Sequence, residues 1–196
     1  MKIGIFSGSF NPIHTGHLII ANYLCEFEGL DEVWFIVSPQ NPLKTKDSLM
    51  DDIHRIAMVK EAIQGNHKFK FCDIEFSLPL PSYTIQTLKA LEEKFSQNEF
   101  YLIIGSDNWL IFDQWKDYKE ILNHYQVLIY PRHGYEIQEN SLPLSGKNVR
   151  ITKSPIIEIS STFIREGISK GKNMNYYMPL NVYQYILSKA LYQSRR

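Results

Sequence analysis

Apolar and polar positions fall into blocks along the chain, and the period changes from block to block. Lys2 to Phe6 is a short apolar run and predicts a strand. From His17 to Phe27 the period lengthens. Leu18, Ala21, Leu24 and Cys25 share one face, widened by Ile20, Tyr23 and Phe27, as in an amphipathic helix. Val33 to Val37 reads as a buried strand. Asp51 to Ile63 reads as a helix, opened by two aspartates near the positive end of its dipole. Phe69 to Phe76 alternates as a strand does, and Tyr83 to Phe95 is again helical. Phe100 to Ile104 and Val127 to Tyr130 are continuous apolar runs, and Pro179 to Tyr192 closes the chain as a helix. Strands this apolar are buried on both faces, and helices between them demand crossover connections. The expected fold is α/β: an open, mostly parallel sheet with helices on both faces. Arg132 to Asn148, with Gly134, Pro143 and Gly146, reads as one long loop rather than a boundary, so a single domain over 1–196 is expected.

Composition narrows the partners. With 196 residues, 44% apolar and 13% aromatic, the chain can build a sizeable core. Lys plus Arg number 21 and Asp plus Glu 21, so the formal net charge is zero. That argues against duplex nucleic acid as the main partner, because such binding draws on many neutralised phosphates. A small local cluster of cations is still enough for a nucleotide. No apolar run approaches the roughly 20 residues that cross a bilayer, so no membrane partner is expected. Met1 to Phe6 carries one positive side chain and lacks the long apolar core of a secretory leader. Cys25 and Cys72 form no Cys-x-x-Cys and read as two buried thiols. Together these features make a reducing cytoplasm the expected location. Oligomeric state is not written in the pattern.

In an open α/β sheet, ligands bind beyond the carboxyl ends of the strands. The first strand is followed by Ser7-Gly8-Ser9-Phe10-Asn11-Pro12-Ile13-His14-Thr15-Gly16-His17. Gly8 permits a tight turn or a close ligand, and Asn11-Pro12 signals a turn. With a helix starting near Thr15, His14 and His17 stand three residues apart at its entrance, among free N–H groups. Two imidazoles and a helix N-terminus converging on one point suit a phosphate chain. Gly16 costs the helix about 1 kcal/mol relative to Ala. A bulky ligand passing where its side chain would stand is the expected compensation. A protein-bound metal is not expected, since the pair needs further ligands and no Glu-x-x-His occurs. Gly-x-Gly-x-x-Gly is absent after the first strand, and Gly146-Lys147 and Gly171-Lys172 are each followed by Asn, so neither standard phosphate loop is present.

The segment Gly8-Ser9-Phe10-Asn11-Pro12-Ile13-His14-Thr15-Gly16-His17 resembles the His-x-Gly-His signature of the nucleotidylyltransferase superfamily. Ile159-Ser160-Ser161-Thr162-Phe163-Ile164-Arg165 resembles its second signature, Ile-Ser-Ser-Thr-x-Ile-Arg. Between them lie Pro39 to Lys44, Arg55 to Met58, Pro81 to Thr84 with Thr87-Leu88, Gly105 to Asn108, and Trp115-Lys116. That set is similar to the bacterial nicotinate-nucleotide adenylyltransferases over nearly the whole chain. The chain departs from their pattern at Ser7, where Gly is common, at Asn11, where Asp is common, and at Ser106, where Ala is common. Ser7 either adds a phosphate donor or fills space.

The resemblance implies a Rossmann-like fold and adenylyl transfer from ATP to nicotinate mononucleotide, giving nicotinate adenine dinucleotide and pyrophosphate in NAD biosynthesis. The attacking phosphate oxygen is already charged, so no general base and no activated Ser, Cys or Lys is needed. On this reading His14, His17, Lys44 and Arg165 are the catalytic set. Gly8, Ser9 and Phe10, with Ser160, Ser161 and Thr162, complete the ATP site. Trp115 faces the pyridine ring, Tyr83 and Thr84 open a helix toward the nicotinate carboxylate, and Asp107 accepts from a ribose. Mg²⁺ bridges the ATP phosphates with few or no protein ligands. Two alternatives remain at this stage: another enzyme of the superfamily, such as one acting on phosphopantetheine, and a non-enzymatic nucleotide sensor on the same fold.

Overall fold

The computed structural model describes residues 1–39, 49–138 and 148–193. Lys44 and part of the predicted long loop lie outside these residues. The described strands are β1 (Lys2–Gly8), β2 (Glu32–Val37), β3 (Phe69–Cys72), β4 (Glu99–Gly105), β5 (Gln126–Tyr130) and β6 (Val149–Ile151). The helices are α1 (Thr15–Phe27), α2 (Asp52–Ile63), α3 (Thr84–Lys94), α4 (Ser106–Trp109), α5 (Tyr118–His124), α6 (Ser161–Ser169) and α7 (Leu180–Ser188). The strands form one sheet in the order β3-β2-β1-β4-β5-β6. All of its pairings are parallel. This is the open, parallel α/β sheet that the apolar runs predict, and it has the Rossmann-like form that the resemblance implies.

Alternation along the strands divides the core in two. Phe6, Val33, Phe35, Val37, Ile103 and Leu128 point to one face, where buried residues of α1, α2, α6 and α7 cover them. Ile3, Ile5, Ile36, Leu102, Ile104 and Ile129 point to the other, against α3 and α5. Helices therefore pack on both faces. Among the described residues, no helix is long and apolar enough to cross a membrane.

Three local expectations change. The strand predicted over Phe69 to Phe76 stops at Cys72, and Ile74–Ser77 forms a 3-10 turn. That turn buries Ile74 and Glu75 together and leaves Phe76 exposed, which no continuous strand can do. The last helix ends at Ser188 rather than near Tyr192, because Ala190 and Tyr192 take positive φ values of 50° and 61°. The expectation of two buried thiols holds for Cys25 only; Cys72 is partly exposed.

The sheet order reverses between β1 and β4. A crevice opens there beyond the carboxyl ends of the strands, where such sheets bind ligands.

Candidate active site

A cavity of about 790 Å³ fills that crevice, within the usual size of small-molecule sites. His14, His17 and Arg165 all line it, although the histidines and the arginine are separated by most of the chain. Gly8, Ser9, Phe10, Ser160, Ser161 and Thr162 line it as well, as do Tyr83, Thr84, Asp107 and Trp115. Of the residues read from the sequence as a site, only Lys44 falls outside the described residues.

The loop after β1 builds the first wall. His14 caps α1, and its backbone N–H donates to Nδ1 of His17 at 3.2 Å. A neutral His17 with Nδ1 accepting carries its proton on Nε2. The two imidazoles stack, with centroids 3.8 Å apart. His14 is buried. Burial, helped by the nearby Arg132 guanidinium, lowers its pKa to about 4, so it is neutral near pH 7.

Phe10 turns the loop with φ 42°, a left-handed conformation that is costly for a bulky residue. Its ring packs edge-on against His17 at 5.1 Å and against Phe6 at 5.8 Å. The buried ring thus supports His17, and Phe10 can offer a ligand little beyond its backbone. Gly16 corrects an expectation. A Cβ there meets Cγ2 of Ile157 at 2.8 Å and Nδ1 of His14 at 3.0 Å. Close packing of the protein itself, rather than a passing ligand, explains this glycine.

The second wall is the start of α6. Ser160 caps it, its Oγ accepting from Phe163 N–H at 3.1 Å. Ser161 donates to the Pro12 carbonyl at 2.8 Å, tying α6 to the β1 loop. Arg165 donates to the Asn11 carbonyl at 2.8 Å and to Thr162 Oγ1 at 3.2 Å. The proton of Ser161 is committed inside the protein. Ser160 and Thr162 accept in these contacts and keep theirs for a ligand oxygen.

The third wall follows β4 and β5. Asp107 pairs through Oδ2 with Arg132 at 2.7 Å, while Oδ1 is buried with no protein partner. Trp115 lies against Phe112 with centroids 5.0 Å apart, and its Nε1 is also buried without a partner. Tyr83 caps α3, with the Lys116 ammonium 4.5 Å from its ring centre. The Tyr83 N–H is taken by Gln86 Oε1 at 3.2 Å, so the donors left for an anion begin at Thr84.

Three contributors have no role assigned from the sequence, although Arg55 belongs to the segment Arg55 to Met58 that carries the resemblance. Arg132 stands two residues past the end of β5, a position that merits the same attention as the ends of β1 and β4, but the sequence places it in the predicted loop. Arg55 is wholly buried in α2 and donates to the carbonyls of Ser9 at 2.8 Å, Ser38 at 2.9 Å and Met50 at 2.9 Å, besides pairing with Asp52. Glu75, buried in the 3-10 turn, accepts from Ser7 Oγ at 3.1 Å. The Ser7 proton therefore points at Glu75 and does not add a phosphate donor.

The wall nearest the histidines is rich in cationic or proton-bearing groups: His17 Nε2, the guanidiniums of Arg165 and Arg132, and two hydroxyls. Such a set suits phosphate oxygens better than a metal ion. Among the described residues, no group of three or more His, Cys, Asp or Glu is placed to hold a metal. A second hollow, of about 780 Å³, lies near the amino ends of β1 and β4. It is lined by Asp31, Glu92 and Glu99 among others, and it contains neither signature.

Comparison with known proteins agrees with this geometry. Residues 5–167 match the cytidylyltransferase-like family. The chain is 52% identical over 189 residues to a probable nicotinate-nucleotide adenylyltransferase of Bacteroides fragilis (strain YCH46), covering 96% of this chain and 92% of that one. It is 48% identical over 194 residues to the protein of the same name from Cytophaga hutchinsonii, covering 99% and 100%. The Plasmodium falciparum nicotinic acid mononucleotide adenylyltransferase complexed with NaAD superposes with a TM-score of 0.81 at 23% identity, covering 97% of each chain. That likeness supports the fold, and the closer relatives carry the family. The chain belongs to the cytidylyltransferase-like family and, within it, to the nicotinate-nucleotide adenylyltransferases.

Proposed function

We propose that this enzyme transfers the adenylyl group of ATP to nicotinate mononucleotide in NAD biosynthesis. A phosphate oxygen of the mononucleotide attacks the α-phosphorus of ATP. The new P–O bond gives nicotinate adenine dinucleotide, and the bond from the α-phosphorus to the bridging oxygen breaks to release pyrophosphate. The observation that carries this reading is the meeting of His14, His17 and Arg165 around one cavity.

The nucleophile is anionic at neutral pH, so the protein has no proton to remove from it. What remains is in-line alignment and stabilisation of charge on the departing pyrophosphate. His17 donates from Nε2 to the α-phosphate. His14, neutral when the site is empty, becomes a stronger donor as bound phosphate raises its pKa. Arg165 and the hydroxyls of Ser160 and Thr162 hold the β- and γ-phosphates, and Lys44 adds a cation to the same chain. Mg²⁺, as part of the MgATP substrate, would supply neutralisation of part of the triphosphate charge.

Trp115 and Tyr83 supply faces for the pyridine ring, and the first free N–H groups of α3 receive the carboxylate. Oδ1 of Asp107, buried and unpartnered, accepts from a ribose hydroxyl.

The test is pyrophosphate release from MgATP with a panel of acceptors. Nicotinate mononucleotide is expected to give the highest kcat/KM. Higher values with nicotinamide mononucleotide or phosphopantetheine overturn the assigned acceptor, and ATP binding without release in any mixture favours a sensor. His17→Ala is expected to lower kcat by about 10²-fold or more with the fold intact. Near-normal turnover removes His17 from the mechanism.

A further inference from the structure

We propose that Glu75 is the positioning residue for the mononucleotide side of the site; the proposal rests on the adenylyl-transfer reading above. Glu75 is 4% exposed. Its Oε1 accepts from Ser7 Oγ at 3.1 Å and Thr87 Oγ1 at 3.2 Å. Its Oε2 accepts from Ser38 Oγ at 3.0 Å and Ser82 Oγ at 3.1 Å. The four donors come from four separate segments: the end of β1, the segment after β2, the turn before α3, and α3 itself. Hydroxyl donors occupy both carboxylate oxygens, which is how a buried acid is satisfied without a counter-ion.

Each of these hydroxyls has one proton; those of Ser7, Ser38 and Ser82 go to Glu75, and that of Thr87 is shared between Glu75 and the Tyr83 carbonyl at 3.5 Å. Ser7, Ser38 and Ser82 line the cavity and turn only lone pairs toward a ligand. They favour donor groups of a ligand and disfavour phosphate oxygens. The cavity is thereby sorted by polarity, with donors on the histidine and arginine side and acceptors around Glu75.

Placement decides which substrate feels this arrangement. Ser82 immediately precedes Tyr83 and Thr84, and Thr87 lies one turn further along α3. Glu75 therefore fixes the start of α3 against the end of β1, setting the distance between the pyridine-side groups and the phosphate loop. The ATP side has its own supports: Ser161 on Pro12, Arg165 on Asn11, and Arg55 on Ser9.

Glu75→Gln keeps the shape but replaces one acceptor oxygen with a donor amide, so two of the four hydroxyls lose their acceptor. The KM for nicotinate mononucleotide is expected to rise about tenfold, while kcat and the KM for ATP stay within about twofold. Thr87→Val removes a single donor at nearly constant volume and is expected to raise the same KM about two- to threefold.

Wild-type turnover is measured first. Its absence with nicotinate mononucleotide sinks the adenylyl-transfer reading. Wild-type turnover with an unshifted Glu75→Gln profile sinks the role of Glu75 alone. Equal rises in both KM values also overturn it, because they report a general loosening. If Glu75→Gln does not fold, an unchanged mononucleotide KM in Thr87→Val overturns the proposal.

Discussion

The imidazole of His14 stacks on that of His17, centroid to centroid 3.8 Å at an interplanar angle of 29°. Two protonated rings in this arrangement repel, and burial already holds His14 neutral down to a pKa of about 4. In the unfolded chain a histidine titrates near 6.5. Between these values the unfolded state binds a proton that the folded state refuses, so stability falls as pH falls. The contribution is intact above pH 6.5 and is lost progressively toward pH 4. Between pH 7.5 and pH 5 the loss is about 2 kcal/mol. Urea unfolding at the two pH values measures it, and His14→Gln is expected to flatten the difference by that amount. An equally steep profile in the variant assigns the pH dependence to other groups.

Gly16→Ala sets two effects against each other. Alanine favours helix by about 1 kcal/mol. The added methyl, however, meets Ile157 at 2.8 Å and the His14 ring at 3.0 Å. His14 lines the cavity, so its ring is expected to shift and its stacking on His17 to break. Steady-state kinetics is expected to show kcat/KM for ATP reduced by about tenfold or more, since a small displacement of a positioning group has effects of that order. Unchanged kcat/KM means that the pocket absorbs the methyl.

The fold and the ends of the site were legible in the sequence for definite reasons. Val33–Val37, Phe100–Ile104 and Val127–Tyr130 are apolar on both faces, which announces central parallel strands. His14 and His17 are three apart at a strand-to-helix junction, a local relation that spacing records. Arg55, Glu75 and Arg132 were not legible as support for the site. Their meaning lies in partners distant along the chain, such as Ser9 for Arg55 and Asp107 for Arg132. Glu75 was further hidden because Phe69 to Phe76 keeps a two-residue alternation past the point where the strand ends. Gly16 stands out in the helix pattern, but its neighbour Ile157 comes from across the fold.

Tyr192 ties the end of the described chain to the loop after β1 that lines the cavity. Its hydroxyl donates to Asn11 Oδ1 at 2.8 Å, and the Asn11 carbonyl receives Arg165. Burial raises the phenol pKa, so it remains a donor through the neutral range. Tyr192→Phe is expected to cost about 1 kcal/mol of stability and to raise the KM for ATP severalfold. Asn11→Asp keeps an acceptor for the tyrosine and is expected to retain activity better than Tyr192→Phe. The reverse ranking in KM shows that the Tyr192 bond does not hold the loop.

Arg55 makes the strongest stability prediction. Its guanidinium is wholly buried and satisfies three carbonyls, those of Ser9, Ser38 and Met50, while pairing with Asp52. The planar fork reaches several acceptors in fixed directions, which a lysine ammonium on a different stem cannot reproduce. Arg55→Lys therefore buries a poorly satisfied cation and leaves carbonyls unpaired. The expected loss is about 3 kcal/mol, or roughly 6–12 °C in Tm for a domain of this size. Arg55→Met removes the charge but still orphans the carbonyls, so it is expected to fall between Arg55→Lys and wild type. Ser9 belongs to the loop after β1 that lines the cavity and Ser38 donates to Glu75, so kcat/KM is expected to fall in both variants even at temperatures where they are fully folded. Thermal melts and kinetics well below the lower Tm separate the two effects. Full activity in folded Arg55→Lys confines Arg55 to stability and removes it from the positioning of the loop.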